Sequence, residues 1–406
     1  MGIQLPKNWN LTPLGKLANY INGRGFKKNE WKQQGIPIIR IQNLNKINAP
    51  FNYADEGFED KYKIRDGDLL VSWSATLDVF IWSRGDAWLN QHIFKVESDF
   101  KKTNKNFLYY ALKESLNELY RKAHGSGMVH ITKGVFEEHQ IQVPPFPEQK
   151  RIADKLYCLL TKVDTCKARL DKVPEIIKRF RQSVLADATS GRLTKKWRFE
   201  NDISFPWNIS YLTDVSNSKL GKMLDKAKNK GNPIKYLRNI NVRWFNFDLS
   251  DLHEMAITDK EIPKYEIRDS DVLICEGGEP GRAAVWNLGN NDLVFQKAIH
   301  RVRLNPEVNP YWFLFNLKND FNNGKLAKLY TGTTIKHLTG RSLKTYQFTV
   351  PKIVEQKEIV KRVDALFSIA DQMEEKLKRA QSGVDKLTAS ILAKAFKGEL
   401  VPQESR

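Results

Sequence analysis

Apolar residues recur at 4,3,4,3 spacing in two long stretches of this chain, residues 148–193 and 355–400, which align with each other without a gap. In the first stretch they are Ile152, Leu156, Leu159, Val163, Cys166, Leu170, Val173, Ile177, Phe180 and Val184. In the second they are Ile359, Val363, Leu366, Ala370, Met373, Leu377, Ala380, Val384, Leu387 and Ile391. An apolar seven-residue repeat held this long predicts two helices with a coiled-coil seam. Each stretch opens on Glu-Gln-Lys, at Glu148-Gln149-Lys150 and Glu355-Gln356-Lys357, and reaches Gly-x-Leu at Gly191 and Gly398. Pro174 interrupts the first helical pattern, where its missing N–H and its ring should bend the helix, and Gly383 lies near the equivalent point of the second.

The repetition extends beyond the helices. Trp9-Asn10-Leu11 matches Trp207-Asn208-Ile209, residues 35–44 match 231–240, and residues 62–70 match 265–273. Trp82 matches Trp286, Gln91 matches Gln296, and residues 125–144 match 332–351. The chain therefore reads as two copies of one unit, each a globular part followed by a long helix. In the first globular part, residues 36–44, 68–73, 79–83 and 93–97 are short runs rich in β-formers, bounded by Gly, Asp and Asn. Residues 104–122 carry helical periodicity, Gly125-Ser126-Gly127 ends it, and a strand at 140–143 follows. The second part repeats this with strands at 272–275, 284–286, 293–303 and 345–350 and a helix over 310–329. Strands followed by segregated helix predict an α+β fold, with two mixed α/β domains related by a pseudo-two-fold axis and separated by a long two-helix coil. The helices are expected to pair in antiparallel fashion. The second globular part joins the end of helix one to the start of helix two, and a parallel pair would force it to bridge roughly 50 Å at 1.5 Å per residue.

Charge adds a partner to this picture. The chain has 406 residues, 41% hydrophobic content and a formal net charge of +19. A core of ordinary size is therefore available, and the excess of cations points to a polyanion, nucleic acid before membrane. The three cysteines, Cys158, Cys166 and Cys275, form neither a disulfide framework nor a metal-ligand pattern, as expected of a reducing cytoplasm. No apolar run reaches the length of a membrane span, the N-terminus lacks the pattern of a secretory signal, and Pro6 stands where myristoylation wants Ser or Thr.

Catalytic signatures are weak. Val143-Pro144-Pro145-Phe146 lacks the preceding polar residue of an amino-methyltransferase core and reads as a domain terminator. The two Glu-x-Lys triplets open helices, where Glu suits the dipole. Residues 277–282, GGEPGR, fit neither a phosphate-binding loop nor a dinucleotide fingerprint. The repeat-related His130 and His337 read first as structural and second as phosphate contacts.

Nucleic-acid signals are stronger. Lys219, Lys222, Lys226, Lys228, Lys230, Lys235, Arg238 and Arg243 crowd one stretch against Asp225, and Arg24, Lys27, Lys28, Lys32 and Arg40 occupy the matching stretch against Glu30. Such residues supply phosphate contacts. Gln42, Asn43, Arg238, Asn239 and Asn241 are of the types that read base edges. Ser126 and Lys133, with Thr333 and Lys336 in the matching loop, complete the candidate DNA-contact set.

Two variable α+β parts, each closing on a Pro-ended strand and an E-Q-K-x-I helix that ends in Gly-x-Leu, resemble the specificity subunit of type I restriction–modification systems. The resemblance covers essentially the whole chain. It implies target-recognition domains at 1–146 and 199–353, spacer coil helices at 147–198 and 354–406, and a subunit that does no chemistry of its own. Each domain would read one half of a bipartite, asymmetric site in double-stranded DNA, and the coil would fix the unread spacer. The implied partners are two methylation subunits and restriction (translocase/endonuclease) subunits, which would carry S-adenosylmethionine, ATP and Mg. The resemblance assigns no base-reading residue by motif, so the contact set above rests on physical grounds. A stand-alone nucleic-acid-binding protein is the alternative, and a self-contained enzyme is a third reading that the missing motifs disfavour.

Overall fold

The computed structural model describes residues 5–74, 76–123, 132–225, 227–289 and 292–402. Its five long helices are α1 (Lys105–Ala123), α2 (Phe146–Leu170), α3 (Val173–Thr189), α4 (Pro310–Asn322) and α5 (Ile353–Phe396). The chain divides into two compact units, one of residues 1–171 with 379–406 and one of residues 172–378.

The first unit holds a four-stranded antiparallel sheet in the order Asn19–Asn22, Ile93–Glu97, Leu69–Ser72, Asp78–Ile81. A second sheet runs Asn52–Ala54, Ile36–Ile39, Ala87–Leu89, Lys63–Ile64, and its central pair is parallel. Asn10–Pro13 pairs antiparallel with Gln140–Val143. The second unit repeats the order: Ser216–Leu220, Ile299–Leu304, Val272–Cys275, Ala283–Val285 in one sheet, and His253–Ile257, Asn232–Leu237, Val294–Phe295 in the other, again with a parallel pair. Asn208–Tyr211 pairs with Gln347–Val350. The duplication seen in the sequence is thus a duplication of topology.

Three predicted elements are cut short. The first strand ends at Ile39, because the Asn43 side chain accepts from the Arg40 N–H at 3.1 Å and turns Ile41–Asn45 into a helical turn. The run 293–303 is split at residues 296–298, since Val294–Phe295 belongs to one sheet and Ile299–Leu304 to the other. The helix predicted over 310–329 stops at Asn322, beyond which Gly324 takes a positive φ of 77°.

The first long helix is likewise two helices. Asp171 and Lys172 form a turn between α2 and α3, and Pro174 sits in the first turn of α3, where its absent N–H costs nothing. α5 runs uninterrupted through Gly383, whose helical backbone costs about 1 kcal/mol relative to Ala.

Within the second unit, α3 and the first part of α5 are antiparallel. Arg181 reaches Asp371 at 2.6 Å, the Leu193 carbonyl accepts from Arg362 at 2.9 Å, and Arg198 meets Glu355 at 2.7 Å, so one sequence rises as the other falls. Within the first unit, Lys167 reaches Asp385 at 3.0 Å, while Ile152, Leu156 and Val163 share a core with Ile391, Leu392 and Ala395. These helix ends are not free-standing. Ile152 and Leu156 join the cluster that contains Phe107 and Phe136, and Ile359 and Val363 join the cluster of Trp312 and Phe348. Burial of each such side chain contributes about 1.5–3 kcal/mol.

The predicted seam is correspondingly uneven. Ile152, Leu156, Val163, Ile177, Ile359, Val363, Leu377 and Ile391 are buried, and Leu159, Leu170, Phe180 and Leu366 are half-buried. Met373 and Leu387 are 51% and 49% exposed, and Cys166 is exposed too, so these three lie outside any buried seam. In the second unit the globular part reaches well along the helices, with Phe367 of α5 against Phe245 and Phe315 at ring distances of 5.8 and 6.4 Å.

Candidate nucleic-acid interface

The Glu-Gln-Lys triplets anchor each helix pair to its globular part. Gln149 accepts from the Asn104 N–H at 2.8 Å and donates to the Pro144 carbonyl at 2.9 Å. Gln356 accepts from the Asn309 N–H at 2.7 Å and donates to the carbonyls of Glu307 and Pro351. Glu355 is fully buried; it accepts from Arg198 and the Thr194 hydroxyl at 2.7 Å each and from the Trp207 indole at 2.9 Å. Glu148 is also buried, yet its Oε1, like the matching indole of Trp9, has no hydrogen-bond partner among the described residues.

Several residues expected to touch DNA are instead committed to the fold. Asn43 is fully buried and donates to the carbonyls of Ala49 and Pro50, both at 3.1 Å. Asn241 does the same for Asp248 and Asp251. Both are capping residues, because a short amide that closes a turn and satisfies two carbonyls suits a buried bend as well as it suits an adenine edge. Arg40 donates to the Pro50 carbonyl, and Arg238 is bound to Asp251. Arg24 pairs with Glu30 at 2.7 Å and lies 4.2 Å over the Phe58 ring. Lys222 is 8% exposed and pairs with Glu261, whose carboxyl the Lys222 ammonium and the Thr258 hydroxyl and N–H hold down at about 2. Asn239 donates to the Gly277 carbonyl at 3.3 Å and gives its own carbonyl to Arg282.

The remaining described cations are exposed. Lys27, Lys28, Gln42 and Lys219 have exposed side chains, and so do Thr333 and Lys336. Lys228 and Arg243 are exposed with loose pairings to Asp225 and Asp248 at 3.7 and 3.6 Å. Lys133 is exposed beside Glu137 at 3.5 Å. Ser126 and Lys226 lie outside the described residues, as does His130.

The second unit packs the loop that carries Thr333 and Lys336 against a turn to which sequence reasoning assigns no role. The 277–282 turn, set aside above as a nucleotide cradle, forms a platform. Gly278 has φ 81°, and a Cβ there would come within 2.7 Å of the Asn239 amide. The His337 ring lies against Gly277, and the Tyr330 hydroxyl donates to the Pro280 carbonyl at 2.6 Å. The 331–337 loop is closed by paired backbone bonds between Thr331 and His337 at 2.8 and 2.9 Å. In the flanking sequence Lys328, Lys336, Arg341, Lys344 and Lys352 are exposed, Lys325 is exposed and pairs with Asp320 at 3.0 Å, and no acidic residue occurs between Asp320 and Glu355.

Among the described residues there is no cluster of His, Cys, Asp or Glu that could hold a metal ion, and no helix is long and apolar enough to cross a membrane. The arrangement offers two repeated bodies bearing exposed lysines.

Comparison with known proteins agrees across the whole length. The family model described as "Type I restriction modification DNA specificity domain" matches residues 6–175 and again 205–380. The chain is 31% identical to the type I restriction enzyme EcoBI specificity subunit of Escherichia coli, over 99% of this chain and 88% of that one. It is 30% identical to the EcoKI specificity subunit of Escherichia coli strain K12, over 98% and 91%. Its fold resembles a chain solved in work on complex assembly and conformational transition of the type I R-M system, with TM-score 0.75, 16% identity and coverage of 98% and 99%. It also resembles the HsdS subunit from Thermoanaerobacter tengcongensis, with TM-score 0.63, 18% identity and coverage of 98% of each chain. With both copies of the repeat matched and two relatives at or above 30% identity, the chain belongs to the family of type I restriction–modification DNA specificity subunits.

Proposed function

We propose that this chain is the non-catalytic, DNA-reading subunit of a cytoplasmic type I restriction–modification complex, in which residues 1–146 and 199–353 each read one half of a bipartite, asymmetric duplex site. Two methylation subunits and the restriction (translocase/endonuclease) subunits assemble on it and bring S-adenosylmethionine, ATP and Mg. The helices between the readers set the unread spacer and dock the methylation subunits. The observation that carries this reading is the duplicated topology: from a diverged sequence each unit builds a four-stranded antiparallel sheet in the same order and a second sheet around a parallel pair, as expected of two readers with different targets. Exposed Lys27 and Lys28 in one unit and Lys219, Lys228 and Lys336 in the other support phosphate contact by both.

The test is a domain exchange. Residues 199–353 are replaced with those of another family member, and methylated adenines are mapped by sequencing DNA from a host that carries the hybrid and its methylation subunit. One half of the methylated motif should change and the other stay. A change in both halves would sink the modular reading, and a chain that never co-purifies with a methylation subunit would favour a stand-alone DNA-binding protein.

A further inference from the structure

Ile335 is 67% exposed at the tip of a loop that is otherwise locked. Thr331 and His337 exchange backbone bonds at its base, and the Lys336 ammonium donates across it to the Gly332 carbonyl at 2.8 Å. Gly332 holds φ 90°, and a Cβ there would lie 2.2 Å from the Ile335 carbonyl oxygen, so the tight bend admits only glycine. Below the base, Leu338 is fully buried; its N–H donates to the Glu276 carbonyl and its own carbonyl meets His300 Nε2 at 2.8 Å. The loop therefore presents a stiff β-branched side chain whose position is fixed before any partner arrives, which cuts the ordering cost of binding.

Its surroundings name the partner. Thr333 and Thr334 precede it, Lys336 follows, and the segment between Asp320 and Glu355 is wholly cationic in its charged residues. Lysine is depleted in the cores of protein–protein interfaces, and one aliphatic side chain makes no protein-binding patch. Apolar side chains projecting from cationic surfaces are instead used to enter the base stack of bent DNA. In the sequence repeat, Met128 stands at the position of Ile335, so both copies carry an apolar residue there.

Resting on the DNA-reading role proposed above, we propose that Ile335 is a wedge: it enters between two base pairs of the half-site read by residues 199–353, unstacks them and bends the duplex. Sequence preference at that step then comes from how easily the step unstacks rather than from hydrogen bonds.

The experiment uses the full chain with its methylation subunit and a duplex that carries the motif mapped from host methylation. Dyes at the duplex ends report bending, and 2-aminopurine placed in turn at each position of the half-site reports unstacking. The wild type should shorten the end-to-end distance and brighten 2-aminopurine at one step. Ile335→Asn should lose both signals and weaken binding by about tenfold, with an unchanged slope of log K against log salt. Ile335→Leu should keep both signals, and Lys336→Ala should instead lower the salt slope by about one. Brightening that persists in Ile335→Asn, as at an adenine drawn out for methyl transfer, would overturn the wedge and leave the DNA-reading role standing. Release of the methylation subunit by Ile335→Asn with duplex binding intact would make Ile335 a protein contact. Failure of the wild-type complex to bind the duplex would remove the DNA-reading role itself.

Discussion

The Glu355 carboxylate accepts from the Arg198 guanidinium at 2.7 Å, and both side chains are buried. Removing one member of such a pair strands the other charge, so Glu355→Ala should cost about 3–5 kcal/mol in unfolding. The matching Glu148 has no ion-pair partner among the described residues, and Glu148→Gln should change stability by less than about 1 kcal/mol, in either direction, because a buried charge is exchanged for an amide. Denaturant melts of the two variants test this. Equal losses in both would show that the asymmetry between the units has no energetic content.

Asn43 and Asn241 should act on stability and not on target choice. Replacing either with Ala leaves buried carbonyls unpaired, at about 1–3 kcal/mol each. The methylated motif should be unaltered, as methylation mapping will show. A changed motif would return these residues to the base-reading set.

Lys27 and Lys28 should behave in the opposite way. With exposed side chains, the double alanine variant should unfold like the wild type and lower the salt slope of duplex binding by about one to two. Lys222→Ala should instead destabilise the second unit and leave the slope alone, since its ammonium is spent on Glu261. The slopes come from fluorescence anisotropy at several salt concentrations. A Lys222→Ala slope reduced to match the Lys27/Lys28 variant would contradict the assignment.

His300 should make the protein acid-sensitive. Burial pushes its imidazole below the ordinary 6.5, partly opposed by the bond to the Leu338 carbonyl and by the nearby Glu276. The unfolded chain then takes up the proton first, so stability is full above about pH 6.5 and declines as pH falls through the lower folded value. Phe94 occupies the matching place in the first unit, as the sheet registers show, so His300→Phe should fold and lose this decline. Urea midpoints at pH 7.5 and 5.5 for both proteins decide it; parallel declines would exclude His300 as the cause.

Much of this architecture was legible because repetition is a long-range signal. Two copies of one pattern expose an internal duplication even where each copy alone is ambiguous, and the antiparallel direction of the helices followed from connectivity. Burial was not legible. Asn43 and Asn239 have the chemistry of base readers, and only their neighbours reveal that their hydrogen bonds are already used inside the fold. Met373 and Leu387 obey the heptad, but spacing says nothing about whether a second surface lies opposite. Pro174 announced a bend; that it begins a fresh helix depended on the two-residue turn before it. The 331–337 loop was named for its hydroxyls and Lys336, while Ile335 passed unnoticed because a single apolar residue in a loop has no periodicity.

The 44 residues of α5 are shared, with those up to Lys378 in one unit and those from Arg379 in the other. The second unit is therefore one unbroken run of chain, whereas the first is closed by residues synthesised long after its sheets. On the ribosome the second unit can complete its core while Ile152, Leu156 and Val163 of the first still wait for Ile391, Leu392 and Ala395. A chain stopped near residue 380 would carry one finished body and one with an open apolar face, marked for proteolysis. The same shared helix thus makes completion of synthesis a condition for closing the first unit.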